Sequence, residues 1–100
     1  MLQFLKDIGI SDITILKMIN NNSEDILYDL ECDQVNCLEV IKYLQELNIQ
    51  VIDDLLINEI GMFFKTKEYL VNKFSKFNIS EIVDDINDDY IAIESVLYDW

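Results

Sequence analysis

The sequence predicts one all-α domain over residues 1–100, organised as a short helical-repeat array of about seven short helices in roughly three helix-turn-helix units. Three observations predict this fold. The chain has no proline and only two glycines, so it lacks the residues that make the many tight turns of β-sandwiches and barrels. Hydrophobic residues make up 51% of the chain and recur at helical intervals. A ten-residue pattern also occurs three times.

Capping residues and apolar periodicity place the helices of the first half in order. A helix over about 2–8 ends at Gly9, and Ser11 or Asp12 begins a second helix that runs to about residue 19. Ser23 is predicted to cap a third helix through about residue 31. The clearest helix covers 34–47, where apolar residues recur at steps of three. The side chains predicted to face the core are Ile26, Leu27, Leu30, Val35, Cys37, Leu38, Val40, Ile41, Leu44 and Leu47, with Cys37 and Val40 widening the stripe of the 34–47 helix.

The second half is assigned in the same way. Thr66 is predicted to cap a helix over about 67–77, and Ser80 to cap a helix over 81–88. A last helix is expected over about 90–98, and Trp100 is expected to pack back onto it. The side chains predicted to face the core are Leu70, Phe74, Phe77, Ile82, Val83, Ile86, Tyr90, Ile93 and Leu97.

The repeated pattern is a helix end, a Gly or Asn, an Ile, a polar position and a new helix. Its copies begin at residues 4, 43 and 73, and the positions of Gly9, Asn48 and Asn78 correspond. Gly and Asn are the residues that accept the left-handed conformation just after a helix. The pattern therefore predicts the same sharp helix-to-helix turn at all three places.

These segments resemble the repeats of the mitochondrial transcription termination factor family. In that family, a helix ending in Leu-x-x-Leu-Gly-(Ile/Val/Phe)-Ser is followed by a second helix and a short 3₁₀ turn. The segments FLKDIGISDITILKMI, YLQELNIQVIDDLLIN and KFSKFNISEIVDDIND stand in those places, and residues 60–64 would be the short turn. The resemblance implies a curved helical-repeat array. The family's proline after the second helix and its basic concave face are missing, so no nucleic-acid-binding residues are carried over.

The charge is strongly acidic and unevenly distributed. The formal net charge is −13, with seven lysines, no arginine and 20 acidic residues. Residues 1–19 are neutral, residues 20–60 carry −9, residues 65–76 carry +3 and residues 81–100 carry −7. Because nucleic-acid affinity comes largely from cations that displace phosphate counterions, the chain as a whole should be repelled by DNA, RNA and anionic membranes.

Two charged groups are candidate partner-binding residues. The lysines of the basic segment are expected to pair with acidic faces, within the chain or between two chains. Asp53 could form a carboxylate pair with Asp84 or Asp85, but a solvated acidic face is the favoured interpretation. The candidate residues are Lys65, Lys67, Lys73, Lys76, Asp53, Asp54, Asp84, Asp85, Asp88 and Asp89.

The sequence carries no recognisable catalytic apparatus. It has no histidine, which excludes Ser–His and Cys–His pairs, and no metal or other cofactor is expected. A calcium-binding EF-hand loop beginning at Asp85 would need glycine at the position of Tyr90 and glutamate at the position of Val96, so an EF-hand is not predicted. Cys32 and Cys37 are predicted to be buried free thiols in a reducing compartment.

The predicted function is therefore a non-enzymatic protein–protein interaction module. The expected partner is a protein, with a homodimer as one possibility, and neither nucleic acid nor a membrane is expected as a direct partner. Two alternatives stay open: an acidic nucleic-acid mimic that inhibits a nucleic-acid-binding protein, such as a phage-type anti-defence protein, and weak nucleic-acid binding as in the resembled family. With no signal peptide or membrane-spanning run in the sequence, a cytoplasmic location is expected.

Overall fold

The computed structural model describes residues 1–98 and is all-helical over that range, as predicted. Trp100, which was expected to pack against the last helix, lies outside the described residues. The α-helices are α1 (Gln3–Asp7), α2 (Asp12–Asn21), α3 (Glu24–Cys32), α4 (Gln34–Glu46), α5 (Ile52–Asn58), α6 (Lys67–Phe74), α7 (Ile79–Asp88) and α8 (Ile93–Leu97). Two 3₁₀ helices, Ile60–Phe64 and Tyr90–Ala92, follow α5 and α7.

Polar side chains begin several helices where the sequence predicts them. Ser11, Ser23 and Thr66 each have extended backbone, and each side-chain oxygen accepts a hydrogen bond from the backbone N–H three residues later. These bonds satisfy backbone donors that the first turn of a helix leaves without partners. The starts of α2, α3 and α6 are therefore fixed by local chemistry.

The turns from α1 to α2 and from α4 to α5 share one geometry. Gly9 has a φ of 97° and Asn48 has a φ of 66°, so both residues adopt the left-handed conformation predicted for them. Each turn has the paired backbone bonds that close a Schellman motif. These bonds are Gly9 N to Lys6 O, Ile10 N to Leu5 O, Asn48 N to Gln45 O and Ile49 N to Leu44 O, at 3.0, 3.1, 3.0 and 3.1 Å.

The prediction of the same left-handed turn at Asn78 is wrong. This residue has a φ of −71°, and its side chain accepts a hydrogen bond from the backbone N–H of Glu81, so Asn78 is the N-cap of α7. The prediction that Ser80 caps this helix is wrong, because α7 already begins at Ile79. The predicted helix over 67–77 ends at Phe74, and Phe77 N donates to Phe74 O in the following turn. The chain has therefore left α6 before it reaches Asn78.

This cap predicts a specific stability difference. Replacing Asn78 with alanine should lower the free energy of unfolding by about 1 kcal/mol, since the first turn of α7 loses a side-chain acceptor, and replacement with glycine should cost only a few tenths. Ser80→Ala is the matched control and should change stability by less than about 0.5 kcal/mol. Urea titrations of the three variants test this, and a larger loss at Ser80 than at Asn78 would contradict the assignment.

One apolar cluster joins the elements. α2 packs against α5, α4 packs against α3, α6 and the 3₁₀ helix Ile60–Phe64, and α6 packs against α8. The largest fully buried side chains include Phe63, Phe74, Leu44 and Leu70. The inward positions predicted on α7 are also buried: Ile82, Val83 and Ile86.

Three residues predicted to be buried are exposed. Val35 is 75% exposed and lies opposite the face through which α4 packs, and Ile26 lies at the margin of the buried face of α3 at 38% exposed. Cys32 is exposed, on the side of α3 away from Leu30, so the prediction of two buried thiols holds only for Cys37. Burial raises the pKa of the Cys37 thiol to about 12, which keeps it protonated at neutral pH.

Candidate functional site

A groove between the α4–α5 turn and α7 is the candidate site. It has a volume of about 570 Å³. One wall is a single face of α7. On this face Ile79, Val83 and Asn87 are four residues apart, and Ser80 and Asp84 lie beside them. The turn supplies the opposite wall: Leu47, Asn48 and Gln50. The site thus combines apolar side chains with amide, hydroxyl and carboxylate groups.

The side chain of Asn87 joins the two walls. Its Nδ2 donates to the backbone oxygen of Asn48 at 3.1 Å, and its Oδ1 accepts from the backbone N–H of Gln50 at 2.7 Å. The amide therefore satisfies one donor and one acceptor of a turn whose backbone would otherwise rely on water. These bonds fix the position of α7 relative to the turn and hence the width of the groove.

The apolar residues of the two walls are partly accessible. Ile79 is 39% exposed, Leu47 is half-buried and Val83 is 6% exposed. Asp84 stands beside them as the acidic group of the lining. A ligand that offers an apolar side chain next to a cation would find a partner for both.

The acidic residues predicted as partner-binding have different surroundings. Asp84 lines the groove, whereas Asp85 and Asp88 are exposed elsewhere on α7. The carboxylate of Asp89 accepts from the backbone N–H of Ile91 at 3.0 Å and so caps the second 3₁₀ helix. Asp84 is therefore the member of this cluster that the groove lining includes.

The two acidic residues on α5 lie outside the groove lining. Asp53 accepts a hydrogen bond from the Thr14 hydroxyl at 3.0 Å, which ties α5 to α2. The side chain of Asp54 is exposed, and its backbone oxygen accepts from Asn58 Nδ2 at 3.0 Å. Asp53 thus contributes to the packing of the fold.

The lysine segment makes aromatic as well as charged contacts. The Nζ atoms of Lys65 and Lys73 lie 5.0 and 5.5 Å from the ring centroid of Tyr69, within range of a cation–π interaction. Lys67 lines a separate cleft with Lys42 and three glutamates, Glu39, Glu46 and Glu68, while Lys76 is exposed. The sequence analysis did not predict that Tyr69 contacts two lysines. The spacing of four residues from Tyr69 to Lys65 and to Lys73 could have indicated it.

Glu59 and Glu94 have neighbouring carboxyl groups, a pair that the sequence does not predict. Burial, together with the charge and hydrogen bonding of Glu94, raises the pKa of Glu59. The two residues are 35 positions apart and no local pattern joins them, so only the packing of α8 reveals the pair. A nearby like charge makes ionisation of Glu59 less favourable in the folded chain.

Within residues 1–98, no three acidic or cysteine side chains come together in an arrangement able to hold a metal ion. None of the described helices is both long enough and apolar enough to cross a bilayer.

Comparison of the chain with family models, with curated proteins and with solved structures finds no match. The resemblance to the mitochondrial transcription termination factor repeats therefore stays a prediction.

Proposed function

We propose that this protein is a non-enzymatic protein–protein interaction module, built as a small acidic helical-repeat array, that binds a basic segment of a partner protein. The observation that carries this proposal is the groove between the α4–α5 turn and α7, where Leu47, Ile79 and Val83 lie beside Asp84. Curved helical arrays commonly present such surfaces to peptides and domains.

The matching turns support the repeat organisation. Gly9 and Asn48 occupy corresponding positions, share the left-handed conformation and close the same pair of backbone bonds. The 3₁₀ helices at Ile60–Phe64 and Tyr90–Ala92 begin 30 residues apart, the same interval that separates the second and third copies of the sequence pattern. In a stacked array each unit contacts its neighbours, and a groove between the turn of the second copy and the helix of the third is compatible with such stacking.

The charge of the surrounding surface supports a basic ligand. α7 carries four exposed acidic residues and no base: Glu81, Asp84, Asp85 and Asp88. A lysine or arginine of the partner would pair with Asp84, while an adjacent apolar side chain would cover Ile79. Such charges mainly accelerate and orient association, and the accessible part of Ile79 adds an apolar contact.

Nucleic acid is a poorer ligand for this surface. The four lysines at 65–76 can neutralise at most about four phosphates, below the roughly 6–10 contacts of a strong binder. Two of those lysines, Lys65 and Lys73, already lie against Tyr69. Acidic residues elsewhere on the chain oppose phosphate within a screening length of about 8 Å at physiological salt.

The test is affinity capture from the native cell with mass-spectrometric identification, followed by a binding titration with the captured protein. Asp84→Lys should weaken that binding at least about tenfold, a change of about 1.4 kcal/mol. Asp25→Lys is the matched control, because it makes the same charge change at an exposed position on α3 outside the groove lining, and it should bind like the wild type.

The contrary results are specific. Equal binding by the Asp84→Lys and Asp25→Lys variants would exclude the groove as the docking site. Submicromolar affinity for DNA or RNA at about 150 mM salt, measured by fluorescence anisotropy, would replace the proposal with direct nucleic-acid binding. A captured protein that DNA displaces in competition would favour the mimic.

A further inference from the structure

The outward face of α2 is apolar and uncovered. α2 turns Thr14, Ile15 and Met18 into the protein, while Ile13 and Leu16 on its other side are 67% and 58% exposed. A single exposed apolar residue is ordinary on a protein surface. Two large ones at i and i+3 lie side by side on a helix and form a continuous patch.

The corresponding face of α5 is part of the core. In the sequence pattern, Ile13 and Leu16 align with Ile52 and Leu55, which are 8% and 0% exposed. α2 contacts α5 through a different side, where the Thr14 hydroxyl donates to Asp53. The end units of helical arrays generally carry a polar outer face. The face of α2 instead has the composition of a surface that another element covers.

The residues of this face indicate which element covers it. Written as a coiled-coil heptad, Asp12 is at g, Ile13 at a, Leu16 at d, Lys17 at e and Asn20 at the next a. Isoleucine at a with leucine at d favours two parallel strands, and one asparagine at a sets register and strand number. We propose that α2 pairs in parallel with α2 of a second copy of this chain.

Charge complementarity selects the parallel orientation. A two-fold axis along the helices places the Asp12 edge of one copy against the Lys17 edge of the other, so the pair forms twice. An antiparallel pair would place like edges together, so the two Lys17 residues would approach each other near the centre and Asp12, at the end of the helix, would face Ile19 rather than a lysine. The Asp12 side chain is 87% exposed and therefore accessible to a second copy, although it also contacts Lys6 Nζ at 3.3 Å within the chain.

The net charge explains why this surface is suited to self-association. Two copies that each carry −13 repel one another, and residues 1–19 are the stretch in which the formal charges cancel. The face comprises one ten-residue helix, so it covers less than the roughly 800 Å² per partner of a standard interface. The dimer is accordingly weak and depends on protein concentration.

Sedimentation velocity from about 10 µM to about 1 mM tests the dimer, because a weak interface is populated in that range. The sedimentation coefficient of the wild type should rise with concentration, and Leu16→Glu should weaken the association at least tenfold. Val35→Glu is the control, since it places the same charge at a position on α4 that is 75% exposed. Circular dichroism establishes that both variants fold.

The orientation is tested by exchanging charges. Asp12→Lys and Lys17→Asp should each weaken the dimer, and the double variant should recover most of the loss. In a Cys32→Ser background, Asn20→Cys should form an intermolecular disulfide, because residues at a face each other in a parallel pair. A wild type that stays monomeric at about 1 mM, or an equal loss in Val35→Glu, would overturn the dimer. A double variant that recovers nothing and an Asn20→Cys that does not cross-link would overturn the parallel pairing.

The dimer is independent of the groove between the α4–α5 turn and α7. Asp84→Lys, which removes the acidic group of the groove, should dimerise like the wild type. The two proposals can therefore fail separately.

Discussion

Replacing Phe74 with alanine is expected to lower the free energy of unfolding by about 3–5 kcal/mol. The ring is fully buried on α6, and its centroid lies 6.0 Å from that of Tyr43, with the rings at 75° in an edge-to-face arrangement. Truncation removes the buried apolar area, leaves a cavity between α4 and α6 and abolishes an aromatic pair worth about 0.5–1.5 kcal/mol. Urea titration followed by far-ultraviolet circular dichroism measures the effect.

The control for this variant lies on the same helix. Val71 is 42% exposed, so Val71→Ala should change stability by less than about 0.5 kcal/mol. Leu44→Ala, which truncates a fully buried side chain on α4, should cost about 2–5 kcal/mol. If Phe74→Ala and Leu44→Ala were both no more destabilising than Val71→Ala, the packing of α4 against α6 would be incorrect.

Replacing Asn48 with valine is expected to destabilise the protein by about 1–3 kcal/mol, whereas Asn48→Gly should be neutral or mildly stabilising. Asn48 has a φ of 66°, a conformation in which a β-branched side chain clashes with the backbone. Glycine has no Cβ and adopts this conformation without strain. The melting temperatures of the two variants, measured under identical conditions, give the difference.

The matched control for the turn is Gln45→Val. Gln45 is exposed and lies within α4, where valine costs only its weaker helix propensity, below about 1 kcal/mol. A melting temperature for Asn48→Val equal to that of Asn48→Gly would show that the left-handed turn is absent. A Gln45→Val variant as unstable as Asn48→Val would show that the loss does not arise from the backbone conformation.

Features set by a few neighbouring residues could be predicted from the sequence. Ser23 and Thr66 cap helices because a hydroxyl in an extended residue reaches an N–H three positions later, whatever the rest of the chain does. Gly9 and Asn48 stop helices for an equally local reason. The inward face of α7 follows from the spacing of Ile82, Val83 and Ile86.

The orientation of α4 was predicted less well because steps of three are not the period of a helix. A step of three residues stops about 60° short of a full turn, so each side chain in the row is displaced by that angle around the helix axis from the one before. A row of such steps from Val35 to Leu47 therefore cannot stay on one face. The structure buries Cys37, Val40, Ile41 and Leu44, so the two residues predicted to widen the stripe, Cys37 and Val40, belong to the centre of the buried face. The buried side of a helix can be predicted from apolar spacing only when intervals of three and of four residues are both counted.

Asn48 and Asn78 show why an identical dipeptide can have two conformations. Both precede isoleucine, but Asn48 directly follows a 13-residue helix whose last carbonyls accept bonds from the turn. α6 has already ended at Phe74, so Asn78 is free to begin the next helix. Asparagine suits both roles, and the two sites differ in how far the preceding helix ends before the asparagine.

The candidate groove could not be predicted because its walls come from separate parts of the chain. Asp84 was identified from the sequence as one of several acids, but its neighbours Leu47 and Asn48 are more than 30 positions away. The bonds from Asn87 to the turn likewise join residues 37 and 39 apart. Contacts of this kind depend on how the helices pack, which composition and periodicity do not determine.

The asparagine bonds at the two ends of α5 have a consequence for cooperativity. The oxygen of Asn48, before α5, accepts from Asn87, and the oxygen of Ile57, in its last turn, accepts from Asn21 at 2.8 Å. A seven-residue helix alone in water would be largely unwound. α5 is thus linked to α7 through the turn that precedes it and to α2 through its last turn. Its amide protons should therefore exchange with solvent only when the whole domain unfolds, in spite of its short length.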